Sequence, residues 1–362
     1  NANETFSFRV NRRDIDINNH MNNLYYLDYA LEALPEDVYL KKFKNKLFLI
    51  LLITILSIPI TGYAYSNKVI PGGENVGIEV KSSGVLVVGF YNVKSSSPGK
   101  EAGFKIGDII LKVDDTDIHG ITDLSKHFSN NKTLKITYKR QNKIKQTTLN
   151  LVKEGKLYKT GLYVKDSIIG IGTLTFIDPS TKRFGALGHE ILEQSTVTKF
   201  EIKNGKIFES QVTGIKKADR GNIGEKNAIY DENNIYGNID KNDETGIYGN
   251  YTNKINDNSL MEISNNIELG KAYITTVIKG KTKQNFEINI LKIDKNHKTK
   301  NILFEVTDKN LLQTGNGIVQ GMSGSPIVQN NKLIGAVTHV VVDNPHKGYG
   351  ILITNMLKES QN

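Results

Sequence analysis

From Gly161 to the C-terminus, apolar residues seldom recur at helical spacing. Runs such as GIGTLTFIDP, RFGALGHEI, SQVTGIKKA and GKAYITTVIKG are short, β-prone and broken by Gly, Asn and Asp. That pattern predicts an all-β barrel or sandwich. Upstream, GVLVVGFYNV reads as a strand by its valines. SPGKEAGFKIGDIILKVDDTDIHGITDL then reads as turn, short helix, Gly-Asp turn, strand, turn and helix, and LKITYKRQNKIKQTTLNLV as a hairpin with alternating apolar residues. The tetrapeptide IYGN occurs at residues 235–238 and again at 247–250, and the polar stretch between the copies predicts a hairpin rather than a repeat array. One segment breaks the β pattern. Leu47 to Ile60 is an uncharged 14-residue run preceded by the four lysines of KKFKNK, with Pro59 near its end and Ala64 just beyond. It predicts an N-terminal apolar helix acting as signal peptide or membrane anchor, with the lysines on the cytoplasmic side and the C-terminal part translocated. A spanning helix usually needs about 20 apolar residues, so this one is short.

Composition narrows the chemistry. The chain has 362 residues, 38% of them apolar and 23% charged, enough for several domains with a sizeable core. The net charge of +9 is dispersed and forms no basic block with interleaved aromatics, which argues against a nucleic-acid partner. With no cysteine there is no disulfide, no thiol nucleophile and no Cys-ligated metal. No metal-ligand cluster, phosphate loop or dinucleotide motif is present, so neither metal nor cofactor is expected.

QGMSGSPIVQNNKLIGAVTHV, residues 320–340, is the stretch with chemistry in it. Gly321 and Gly324 permit a sharp turn that displays Ser323, and the amides of Gly321 and Ser323 can point at one spot as an oxyanion hole. The alternative is a Gly-Ser turn in an ordinary β-protein. A base must come from seven histidines. His20 falls in the first forty residues, His119 and His127 in the upstream module, His297 in the polar KNHKTK, His346 in a loop, and His339 on an apparent strand where a structural role is expected. His189, Gly-flanked at the end of the apolar run FGALGHEI and upstream of the serine, is the candidate base. Asp219, Asp231, Asp240, Asp243, Asp257, Asp294 and Asp308 all lie between the two, and order alone does not choose a supporting carboxylate.

Several stretches resemble known families. Asp16, Asn18, His20, Asn22 and Asn23 are similar to the D-x-N-x-H-x-N-N stretch of acyl-ACP thioesterases, in a segment too short to build that fold. Residues 1–40 are therefore read as a truncated remnant without activity. Ala102, Gly103, Gly107, Asp108 and Ile109 match the A-G-x-x-x-G-D-x-I signature of bacterial PDZ domains. That resemblance implies a peptide terminus or segment bound near Gly84, Val85, Leu86 and Val87. G-x-S-G-S-P is similar to the serine motif of chymotrypsin-like proteases, with Met322 where those carry the Asp of zymogen activation, so that switch is not expected.

GLYVKDSIIGIGTLTFIDPSTKRFGALGHEI, VTDKNLLQTGNGIVQGMSGSPIVQNNKLIGAVTHV and NPHKGYGI together resemble the stage IV sporulation protein B (SpoIVB) peptidase family. This implies a mainly β chain: a chymotrypsin-like double β-barrel at 156–362, preceded by a small α/β PDZ domain at 67–155 and an apolar signal or anchor at 41–66. It implies Ser323 as nucleophile, His189 as general base and Asp308 as supporting acid or structural support, with Ser325 structural. It further implies a protein substrate that regulates an intramembrane protease, self-cleavage, and late sigma-factor processing, acting from the space between forespore and mother-cell membranes. A non-catalytic extracytoplasmic PDZ scaffold is the alternative. An acyl-chain thioesterase is excluded by the missing fold mass.

Overall fold

The computed structural model describes residues 66–128, 132–193, 198–255 and 259–361. The apolar run 47–60 and the thioesterase-like residues 1–40 lie outside them. No described helix is long and apolar enough to cross a membrane. From Lys68 onward the chain forms one unit.

In chain order, β1 (Lys68–Pro71) and β2 (Asn75–Phe90) lead into α1 (Pro98–Glu101), β3 (Ile109–Val113), β4 (Thr116–Asp117) and α2 (Ile121–Lys126). The hairpin β5 (Thr133–Arg140)–β6 (Lys143–Asn150) and the short pair β7 (Val152–Glu154)–β8 (Leu157–Lys159) precede β9 (Leu162–Ile177) and β10 (Arg183–Ala186). Next come β11 (Leu192–Glu193), β12 (Thr198–Lys199), β13 (Ile202–Lys216), β14 (Glu225–Asp243), β15 (Gly246–Tyr251) and β16 (Met261–Glu262). The last part holds β17 (Gly270–Val277), β18 (Lys283–Ile293), β19 (Ile302–Val306), α3 (Lys309–Gly315), β20 (Pro326–Gln329), β21 (Lys332–Val340), β22 (Lys347–Leu352) and α4 (Ile353–Ser360).

The pairings close two barrels. β2, β9, β10, β15, β14 and β13 form an antiparallel ring that returns to β2. β17, β18, β19, β22, β21 and β20 form the second ring, shut by Tyr273 opposite Val328. Each barrel is filled by inward residues at strand period two, Val76, Ile78, Val80, Leu174, Phe184 and Ile207 in the first and Ile274, Phe286, Ile288, Phe304 and Ile327 in the second. The mainly β, two-barrel expectation thus holds for the described residues. The two IYGN copies lie on β14 and β15, which pair as the expected hairpin.

The PDZ-like module is built differently from the expectation. β2 is a single 16-residue strand whose first half pairs with β13 and β9 inside the first barrel. Its second half, after a register shift between Lys81 and Leu86, turns Val85 and Val87 into the module's own core with Phe104, Ile110, Leu134 and Ile136. Residues 68–82, assigned to the module from sequence, therefore carry barrel strands, and the module grows out of the β2–β9 ribbon. Asp108 of the Gly-Asp signature is buried and gripped by Arg140 through two bonds of 2.7 Å, with the Lys105 amide at 2.8 Å, so it holds the module together.

Gly84–Val87 does not offer a peptide-binding edge. Val85 and Leu86 pair with β3 on one side, while Leu86 and Val87 pair with β9 on the other. A Cβ at Gly84 would lie 2.2 Å from the Ile110 carbonyl oxygen. The groove expected there is filled by the chain's own strands.

Because the first half of β2 closes the first barrel, a fragment of residues 156–362 lacks one of its six strands, and with it β1, which pairs with the end of β9. It should show no cooperative thermal transition and should bind a hydrophobic dye, whereas a chain starting at Ser66 should melt cooperatively. Equal cooperativity by calorimetry would contradict the shared-strand architecture.

Candidate active site

The candidate nucleophile and base are held by loops from different barrels. The turn before β20 needs two left-handed glycines, Gly321 at φ 93° and Gly324 at φ 92°. A Cβ on Gly324 would lie 2.1 Å from the Thr173 carbonyl oxygen and 2.5 Å from the Leu187 amide nitrogen, so only glycine fits against the opposite barrel. Strand β9 stitches this turn in place. Thr173 donates its amide to the Ser323 carbonyl (3.0 Å) and its hydroxyl to the Gly321 carbonyl (2.8 Å), and Thr175 donates its hydroxyl to the Gly324 carbonyl (2.8 Å). Both threonines are fully buried.

His189 comes from the first barrel, just past β10. Leu187 (φ 68°) and Gly188 (φ 71°) turn the chain there, and Leu187 is a bulky residue in the left-handed region. The His189 Nδ1 lies 2.8 Å from the Glu190 carbonyl oxygen. A carbonyl only accepts, so Nδ1 carries the proton and Nε2 presents a lone pair. Burial pushes the imidazole below its usual range, partly countered by the Glu190 bond, so the neutral form is favoured.

His189, Ser323, Gly321 and His339 line one cavity of about 520 Å³, with Ile78, Ile168, Ile169, Ile171, Leu187 and Ile191 giving it apolar walls. The Ser323 hydroxyl donates to the Thr338 carbonyl at 2.9 Å. Around it the amides of Met322, Gly324 and Ser325 are spent on Val319, Val337 and Met322 carbonyls. Those of Gly321 and Ser323 donate to no protein acceptor among the described residues. These are the two amides expected to form an oxyanion hole, and they remain available for one. Met322 packs in the second barrel's core, which explains an apolar residue beside the serine. Ser325 is buried, as a structural residue would be.

Asp308 does not join the other two. It is the N-cap of α3, where its carboxylate accepts from the Leu311 amide (3.0 Å) and the Glu287 amide (3.4 Å). These capping bonds are those of structural support, the second of its two expected roles. Among the described residues no carboxylate bonds the His189 ring, whose Nδ1 partner is the Glu190 carbonyl.

Two residues of the cavity escape the sequence reading. The His339 ring, expected to be structural, lies 5.3 Å from that of His189, centroid to centroid. Burial, the neighbouring His189 and Lys300 lower its pKa to about 4. Lys226 is buried behind Gly321, its Nζ donating to Thr276 Oγ1 (2.9 Å) and Asn75 Oδ1 (3.4 Å). Burial alone lowers it to about 7. No residue type in EKNAIY announces a lysine facing inward, so only the strand's register reveals it.

Two six-stranded barrels, with a displayed serine and a histidine meeting between them, define a serine peptidase. The SpoIVB peptidase S55 family matches residues 156–357, more than half of the chain, and the chain belongs to that family. A PDZ domain matches residues 75–151, and the acyl-ACP thioesterase C-terminal domain matches residues 1–49. No curated protein sequence matches the chain. Among solved structures, the chain is similar to the PDZ domain of the SdrC-like protein Lmo2051 from Listeria monocytogenes, at 23% identity over 24% of this chain and 90% of that one, TM-score 0.20. It is also similar to the Rv3671c protease from M. tuberculosis. The active form aligns at 14% identity over 52% of this chain and 71% of that one, TM-score 0.29, and the inactive form at 12%, 52% and 81%, TM-score 0.27. Likenesses at this level add nothing to the fold that the strand pairings define.

Two outcomes follow. Asp308→Asn, which preserves the cap, should leave peptidase activity within a few-fold of wild type, while Asp308→Ala should cost about 1 kcal/mol of stability. Loss of activity in Asp308→Asn with an unchanged melting temperature would restore Asp308 to the chemistry. Lys226 has a folded-state pKa below its unfolded value, so the unfolded chain holds the extra proton between about 7 and 10.5 and stability rises with pH across that window. Lys226→Met should therefore melt above wild type at pH 7, with the gap narrowing by up to about 1.4 kcal/mol per unit toward pH 10. A gap independent of pH would refute the neutral buried lysine.

Proposed function

We propose that the chain is a PDZ-containing serine endopeptidase in which Ser323 and His189 carry the reaction. The observation that supports this best is the pair of unspent amides, Gly321 and Ser323, flanking a serine that shares a cavity with a neutral histidine. The Ser323 hydroxyl leaves the Thr338 carbonyl by rotation about χ1 and turns to the His189 Nε2. Oγ then attacks the scissile carbonyl carbon as its proton passes to Nε2, and the carbonyl oxygen takes the electron pair and is held by the two amides. Nε2 returns the proton to the amide nitrogen as the C–N bond breaks. Water repeats the sequence to release the acyl group from Ser323. The Glu190 carbonyl takes the place of a carboxylate in holding the tautomer, a dipole where the family reading has a full charge.

Membership of the SpoIVB family supports the finer reading: an endopeptidase that cuts itself and a regulator of an intramembrane protease, carrying a signal from forespore to mother cell. On this reading the protein acts outside the cytoplasm, tethered to or released from the membrane by residues 41–66. A non-catalytic PDZ scaffold is the competing reading, and the Ser323 hydroxyl bonded to Thr338 is the observation in its favour.

A fluorophosphonate probe separates the two. It should label Ser323 in the wild type, not at all in Ser323→Ala, and roughly 10³-fold more slowly or less in His189→Ala. Because burial lowers the His189 pKa, labelling should fall off only below the usual imidazole value near 6.5. Labelling that ignores His189, or an absence of labelling, would favour the scaffold.

A further inference from the structure

Lys226 is a buried amine that the reaction does not use. It lies at the start of β14, where residues 224–226 run beside Gln320. The Gln320 amide donates to the Gly224 carbonyl at 2.7 Å, and the Lys226 amide donates to the Gln320 carbonyl at 3.0 Å. The Gln320 carbonyl and the Gly321 amide belong to one peptide plane, so this pairing holds the plane that carries one of the two unspent donors. The Lys226 stem lies against the same residue. Its Cδ and Cβ are 3.2 and 3.3 Å from where a Cβ on Gly321 would be.

The far end of the side chain is tied to both barrels. Nζ donates to Thr276 Oγ1 on β17 of the second barrel (2.9 Å) and to Asn75 Oδ1 on β2 of the first (3.4 Å). Asn75 in turn donates from Nδ2 to Ser210 Oγ on β13 (2.8 Å). All of these residues are buried. A neutral amine has two N–H groups, and the two acceptors use both. Burial is the sole cause of the lowered Lys226 pKa, with no charged neighbour contributing. A buried amine without a charged partner is unfavourable, and an apolar chain of the same length would fill the space at less cost. A lysine that weakens the fold, set against the loop that displays the nucleophile, belongs to the class of buried ionisable groups that serve a site.

We propose that Lys226 is a positioning residue for the oxyanion hole, a strut tied across the barrel seam that keeps the Gly321 peptide unit in place for the tetrahedral intermediate. Thr173 holds the plane on the C-terminal side of Gly321 through its carbonyl, and Lys226 holds the plane on the N-terminal side through its amide and stem. Bonding of the tip to Asn75 and Thr276 confines the stem to the one rotamer that lies along Gly321, whereas a stem with a free tip has others open to it. The strut rests on the peptidase reading, because that reading gives the Gly321 amide an anion to hold.

The test sets rate against stability. Lys226→Met keeps the stem, removes the tie, and is expected to melt above wild type at pH 7. Its fluorophosphonate labelling should nevertheless slow roughly 10-fold in the maximal rate, kinact, with KI within about twofold of wild type. Thr276→Val removes the tie from the other end and leaves the amine short of an acceptor. It should melt below wild type yet slow by a similar factor, and the double variant should be no slower than Lys226→Met alone. Amide exchange reads the loop without turnover. In the Ser323→Ala protein, Lys226→Met should speed exchange at Gln320 and Met322 roughly 10-fold even though the fold is more stable. A kinact in Lys226→Met equal to that of wild type would overturn the strut. So would labelling rates that follow the melting temperature across the two variants, the mark of a purely structural lysine. If wild type takes no label, the peptidase reading falls and exchange alone decides: faster exchange at Gln320 and Met322 keeps Lys226 as the support of the loop, and unchanged exchange overturns it.

Discussion

Three hydrogen bonds across the barrel seam decide whether this molecule has a site at all. Thr173 holds the carbonyls of Ser323 and Gly321, and Thr175 that of Gly324, so three carbonyls of one turn are committed to β9. Peptide planarity ties those carbonyls to the amides of Met322, Gly324 and Ser325, while the Gly321 and Ser323 amides share planes with the Gln320 and Met322 carbonyls, which accept from the Lys226 (3.0 Å) and Ser325 (2.9 Å) amides. Both positions have a positive φ that suits glycine, and a side chain at Gly324 would also collide with Thr173 and Leu187 of the first barrel. The second barrel supplies the nucleophile, but the first holds its loop in shape.

The same strand ties the PDZ-like module to the chemistry. β9 begins beside β2 in the module, passes along the first barrel and ends at Ile177, having contacted the oxyanion loop on the way. A long antiparallel ribbon with shared registers is stiff, since displacing one end breaks ladder bonds along its length. An arrangement of this kind makes the module part of the frame of the site rather than a tethered accessory. It also accounts for the fate of Asp108 and Gly84, which serve the module's own packing and leave no open carboxylate loop there.

What the sequence discloses follows from range. Gly321, Ser323 and Gly324 are legible because a tight turn needs adjacent glycines, and His189 because GALGH pairs an apolar run with a turn. The two IYGN copies announce their hairpin for the same local reason. Thr173 and Thr175 are hidden, since buried threonines in TLTF look like ordinary strand residues until the partner 148 residues away is known. β2 is hidden too: only its second half, in GVLVVGFYNV, reads as a strand, and pairing with residues 202–209 assigns the first half to a barrel. Asp308 has two readings, and only one of them has a local signal. DKNLLQTG carries an N-cap signal of its own, an Asp directly before a helical run, and that local role is the one the structure shows. His339 was set aside as a strand residue because sixteen residues in sequence say nothing of a ring beside His189.

The most direct test of the seam is the acylation rate of Thr173→Val, which deletes the hydroxyl bond to Gly321 while retaining the amide bond to Ser323. If β9 shapes the oxyanion loop, fluorophosphonate should react roughly 10- to 100-fold more slowly, about the effect of misplacing one oxyanion donor, with the two-barrel fold still melting cooperatively. A Thr173→Val protein that acylates at the wild-type rate would show that the second barrel holds its own loop, and would contradict this construction of the site.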